Sequence, residues 1–198
     1  MKKWFIPLLI LGIIVFWGLT SAKGFYNNGI ELEENAKTAW SNVESSYQRR
    51  ADLIPNLVNT VKGYADFEQE TLTAVMEARA SATKTVIDPT NLTPENVAQF
   101  QQAQQGISGA LSRLLVAVER YPDLKANQNF LELQSQLEGT ENRINVERNR
   151  FNESVSVFNK HIRKFPNNIW NGFIGNFDEM GRFEAASGSD VAPTVDFN

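Results

Sequence analysis

The stretch FLELQSQLEGTENRINVERNRFNESVSVFNKHIRKF, residues 130–165, decides the architecture. Its apolar positions Phe130, Leu133, Leu137, Ile144, Phe151, Val155, Phe158, Ile162 and Phe165 are separated by 3, 4, 7, 7, 4, 3, 4 and 3 residues. Such steps keep every one of these side chains on one face of an α-helix, and a seam held this long predicts a helix packed lengthwise against others. Pro166, which cannot continue a helix, ends it.

Upstream, the same reading recurs. Ala36, Trp40, Val43, Tyr47, Ala51, Ile54, Val58 and Val61 follow at steps of three or four, a long amphipathic helix with Pro55 inside it and a kink expected near residues 50–54. Gly63, then Asp66 with Gln69 three residues on, reads as a helix end and a restart. A second helix carries Leu72, Val75, Met76 and Arg79 to about Thr85, and a loop follows at residues 88–92. Thr93-Pro94-Glu95 begins a third with an N-cap, a proline at the first position and an early acid. This helix presents Val97, Phe100, Ile107, Leu111, Leu114 and Val118 before Tyr121-Pro122 stops it. Four amphipathic helices joined by short turns predict an all-α fold, an antiparallel up-and-down four-helix bundle.

Ahead of the bundle, Trp4 to Ala22 is free of charge. As a helix it would span roughly 28 Å, the thickness of a bilayer core. Residues 1–23 are thus expected to be an N-terminal membrane anchor with a transmembrane helix at 4–22. A cleaved signal peptide is the competing reading, since Lys2-Lys3 and Thr20-Ser21-Ala22 fit its two ends, but the apolar run exceeds the usual h-region. Lys2 and Lys3 precede the span, and acids dilute Lys23 and Lys37 behind it, so the N-terminus is expected inside and the bundle, residues 24–184, outside. Residues 185–198 are small, polar and unpatterned, the composition of a flexible tail.

Composition narrows the chemistry. The 198 residues include no Cys and one His (His161), with a net charge of −4. Thiol chemistry, a di-iron bundle site requiring two Glu-x-x-His motifs, and a basic nucleic-acid footprint all lack their residues. No cofactor, metal or catalytic group is expected. Two clusters stand out instead. Arg49, Arg50 and Asp52 on the first long helix, with Glu138, Glu141 and Arg143 on the last, are expected to form a charged layer fixing helix register, a ligand pocket being the lesser alternative. The aromatic run Phe165, Ile169, Trp170, Phe173, Ile174, Phe177, Met180 and Phe183 returns to the membrane end, either as an interfacial contact or as a cap on the bundle; Trp170, Phe173, Ile174 and Phe177 are the candidate membrane or partner contacts. Asn142, Asn145, Asn149 and Asn152 form a polar stripe beside the heptad seam.

Three ordered blocks make the chain more specific. Arg49-Arg50-Ala51-Asp52-Leu53-Ile54-Pro55-Asn56-Leu57-Val58, running on to Lys62-Gly63-Tyr64, resembles the signature of the LemA family of bacterial membrane proteins. Tyr121-Pro122-Asp123-Leu124-Lys125-Ala126-Asn127, Phe130 and Leu137-Glu138-Gly139-Thr140-Glu141-Asn142-Arg143-Ile144 resemble its second block, and Asn159 with Phe165-Pro166-Asn167 its third. Phe67 and Phe151 depart from the His and Tyr common there. The resemblance implies a helical bundle on one membrane helix in a family without an established enzymatic activity, one branch of which serves magnetosome membrane formation. The expected function is therefore a non-enzymatic structural or scaffold protein of the cell envelope, a homo-oligomer in the cytoplasmic membrane with an unknown protein partner. A ligand-binding or sensory module working through a membrane partner is the alternative.

Overall fold

The computed structural model describes residues 5–63 and 68–184, and the regular structure among these is all helical. Helix α1 (Phe5–Lys62) carries both the apolar span and the first bundle helix without a break. It is followed by α2 (Gln69–Lys84), α3 (Pro94–Val118), a single turn α4 (Pro122–Lys125), α5 (Gln128–Arg163) and a short α6 (Asn167–Trp170), which opens into a π-turn at Asn171–Gly175. Two of the starts have a side-chain cause, an oxygen that takes up an otherwise orphaned amide of the first turn. Thr93 caps α3 by accepting from the Asn96 amide at 3.3 Å, and Asn127 caps α5 by accepting from the Phe130 amide at 3.1 Å. Asp66, Phe67, Trp4 and the tail at 185–198 lie outside the described residues.

Helices α1 and α5 lie antiparallel along most of their length: Phe25 stacks on His161, Trp40 meets Phe151, and Arg50 meets Glu141. The α2–α3 hairpin packs against this pair only over its far part, so the bundle has four helices away from the apolar span and two beside it. The core divides into layers along the long axis. Farthest from the span lies an aliphatic layer with Ile54, Leu57, Val61, Leu72, Val75, Ile107, Leu114 and Leu124. Nearer is an aromatic layer of Trp40, Tyr47, Phe100, Phe151 and Phe183. Arg50, only 2% exposed, sits between them.

Pro55 is accommodated inside α1 rather than ending it. A proline has no N–H to return to the carbonyl four residues back, so the Ala51 oxygen loses its helical partner. Arg79 of α2 supplies one: its Nε donates to Ala51 O at 2.7 Å. The expected discontinuity is thereby converted into a docking point between two helices.

Two readings are corrected. Phe165 does not close the heptad seam; α5 ends at Arg163 and Phe165 is 79% exposed beyond it, leaving Ile162 as the last seam residue. The aromatic run also does not stay together at the membrane end. After the π-turn, Asn176 takes a left-handed φ of 48°, the chain reverses, and residues 176–184 climb back along the bundle in extended form. That strap leaves Phe177 against Phe25 and carries Met180 and Phe183 away from the span, and Phe183 is buried in the aromatic layer, stacked on Trp40 at 5.9 Å.

Candidate functional site

Arg50 falls on the buried stripe of α1, one helical turn before Ile54, which forces its guanidinium into the bundle. There Nη1 donates to Glu141 Oε2 at 2.9 Å and Ser108 Oγ at 3.0 Å, and Nη2 to Gln104 O at 3.1 Å and Gln104 Oε1 at 2.8 Å. Its guanidinium carbon also lies 5.0 Å from the centre of the Tyr47 ring. Burial pushes the Tyr47 phenol above its usual range, against the opposing pull of Arg148 and Arg50, so it stays neutral at physiological pH. One cation thus ties α1, α3 and α5 at one level. The Glu141 side chain is 47% exposed, so its charge keeps water, while the two terminal nitrogens of the arginine are solvated by protein oxygens and its buried Nε is left without a partner. Of the other residues expected in this layer, Arg49, Asp52, Glu138 and Arg143 are exposed and stay outside it, Asp52 bonding to Gln48 and Glu138 to Gln134 within their own helices.

The second constellation is the strap and its clasps. Asn159 accepts from the Met180 amide at 3.0 Å and donates to the Met180 carbonyl at 2.8 Å. Asn152 does the same to Phe183, with both bonds at 2.9 Å. Gln101 of α3 grips Glu184 at 3.1 and 2.9 Å, and Asn171 grips Phe177 at 2.9 and 3.0 Å. A carboxamide offers one acceptor and one donor side by side, the pattern a neighbouring β-strand would present. The register follows from two rises. Asn152 and Asn159 are seven residues apart on α5, about 10.5 Å of helix, and Met180 and Phe183 are three apart, about 10 Å of extended chain. Gly181 completes the fit: its N–H donates to Leu92 O at 2.8 Å, and a methyl group there would meet Pro94 Cα at 2.6 Å. Arg148 covers the end of the strap, 4.7 Å above the Phe183 ring.

Beside the apolar span, His161 of α5 stacks on Phe25 at 5.2 Å and bonds through Nε2 to Phe25 O at 3.0 Å. Because a carbonyl only accepts, the hydrogen is on Nε2. Nδ1 then accepts from Asn167 Nδ2 at 3.2 Å. The ring is thereby consumed in holding α6 to α1. Phe177 packs where Gly29 leaves room, since a methyl group there would lie 2.6 Å from its ring. Trp170 is half-buried, Ile174 is 43% exposed and Phe173 78% exposed, so of the four candidate contacts Phe177 does not share the outer face. Among the described residues, no group of three or more His, Asp or Glu side chains is placed to hold a metal ion.

Sequence reasoning finds the Arg50–Glu141 neighbourhood and misses the clasps. Asn152 is visible in the asparagine stripe, but Asn142, Asn145 and Asn149 remain exposed and only Asn152 of the four grips the strap. The signal is the pairing of two periods, amides seven apart on a helix and apolar residues three apart in the chain that follows.

The comparisons agree with this architecture. Residues 39–197 match the LemA family. Protein LemA of Metamycoplasma hominis is 26% identical over 167 residues, covering 84% of this chain and 72% of its own. Magnetosome protein MamQ 2 of Paramagnetospirillum magneticum is 25% identical over 189 residues, covering 84% of this chain and 67% of its own. Magnetosome protein MamQ of Magnetospirillum gryphiswaldense is 26% identical over 182 residues, covering 81% and 65%. The described residues hold one bilayer-length apolar helix that runs into an all-helical bundle, the match spans nearly all of that bundle, and this chain belongs to the LemA family.

Proposed function

We propose that the chain is a non-enzymatic scaffold of the cell envelope, held in the cytoplasmic membrane by α1 with its N-terminus inside and its bundle on the extracytoplasmic side, and acting by self-association and partner binding. The observation that carries this reading is the use made of the polar side chains. Arg50, Gln104, Asn152, Asn159 and His161, the groups most suited to recognise or transform a small molecule, are spent on holding helices and strap together. What is left for contact is surface, and α5 offers one such face: Asn142, Asn145 and Asn149 are exposed there, with Val146 47% exposed among them. Relatives bearing the name magnetosome protein agree with a role at a membrane.

Because the chain has no cysteine, single replacements report cleanly. Asn149→Cys or Val146→Cys in native membranes should give disulfide-linked dimers on mild oxidation, and detergent-extracted protein should scatter light as an oligomer. A monomer at every concentration, with neither variant cross-linking, would remove the scaffold reading.

A further inference from the structure

We propose that the turn formed by residues 165–175 is a second membrane contact, seated in the headgroup region of the leaflet from which α1 emerges. Three observations carry this. The first is position. A methyl group at Gly18, inside the apolar span, would lie 3.9 Å from Trp170 Cη2. The first charge after the span is Lys23. Five residues of helical rise place the Trp170 contact about 7.5 Å on the lipid side of that lysine, within the depth of an interfacial element. The second is the polarity of the turn. No charged residue occurs from Phe165 to Phe177, and the side chains are sorted in the reverse of a water-facing loop. Asn167 turns inward to His161 O at 2.9 Å and Asn171 to Phe177, while Phe165 is 79%, Phe173 78%, Ile169 45% and Ile174 43% exposed; Asn168 and Asn176 are the polar side chains left outward, as a headgroup-level turn allows. Two amides turned in and both phenyl rings turned out suit a hydrocarbon boundary and are unfavourable against water. The third is the flanking charge: Lys23 and Lys164 are exposed on either side of the turn, where lipid phosphates would lie. A second copy of the chain would not explain the depth, because Gly18 belongs to the span itself.

The contact is independent of whether the bundles associate, and it requires only that α1 be the anchor. It is tested with the full chain carrying Phe173→Cys or Phe165→Cys, each labelled with an environment-sensitive fluorophore and reconstituted in vesicles of phosphatidylcholine and phosphatidylglycerol. Both side chains point away from the core, so their replacement leaves it intact. Ile13→Cys marks the span and Val116→Cys, 71% exposed on α3, marks water. Labels at 165 and 173 should emit to the blue of the label at 116, be quenched severalfold more by lipid-borne nitroxide, and resist aqueous iodide. Emission and quenching equal to those at 116 would overturn the proposal. So would shielding from both quenchers, the result of a protein covering the turn, and so would a water-like label at 13, which would remove the anchor.

Discussion

Ala51 and Arg79 show how a single residue type reorganises its surroundings. Pro55 strips the Ala51 carbonyl of its helical hydrogen bond, and a half-buried oxygen without a donor costs about 1–3 kcal/mol. Arg79 removes that cost at 2.7 Å, and in doing so fixes where α2 docks. Arg79→Met is expected to lower stability by about 1–2 kcal/mol, and Pro55→Ala, which restores an N–H to the same carbonyl, should shrink that loss. Denaturant unfolding of the four members of the cycle checks it; equal losses in both backgrounds would separate the two residues. The Arg50 layer is tested by two single replacements. Arg50→Met strands Gln104 and Ser108 and should cost about 3 kcal/mol, whereas Glu141→Gln, on a half-exposed partner, should cost about 1 kcal/mol or less. Charge proximity is legible in the sequence here, because both residues fall at one level of two apolar stripes. The choice of Arg50 over Arg49 is not: it depends on which neighbour faces inward, a matter of one position on the helix.

At the level of the elements, the helices announce themselves and the strap does not. Periods near 3.6 mark a helix that buries one face. Phe151, fully buried against Trp40, stands where the heptad seam puts it. Phe151→Asp should unfold the bundle, exceeding the roughly 3–5 kcal/mol of Phe→Ala, as thermal melting followed by circular dichroism would report. The strap follows a three-residue period that belongs to neither helix nor pleated strand, and its partners lie far away in sequence, so by pattern alone its aromatic residues group with those of the preceding turn. Its stability rests on donor–acceptor geometry that no hydropathy pattern encodes. Asn152→Asp keeps the acceptor and loses the donor, setting a carboxylate against the Phe183 carbonyl. Hydrogen exchange at the Met180 and Phe183 amides should then quicken by an order of magnitude or more, with the helices unaffected. Unchanged exchange would mean that Phe183 alone, through the aromatic layer, holds the strap.

For the molecule as a whole, the first expectation concerns the span. Its length matches a bilayer and it runs into the bundle as helix, so the mass of membrane-extracted protein should include it; a mature N-terminus at Lys23 would contradict that. The remaining consequence is mechanical. Helix α1 is 58 residues of unbroken backbone, stiffened by α5 over most of its course outside the span. From Gly18 to its end at Lys62 it extends about 66 Å at the ordinary helical rise. A flexible tether would uncouple the bundle from the apolar span, but a continuous helix turns with it. Helices tilt to match bilayer thickness, and a change of about 10° in the span displaces the far tip sideways by about 11 Å, roughly the width of one helix. A tilt of the apolar span is thereby carried, magnified, to the far end of the bundle.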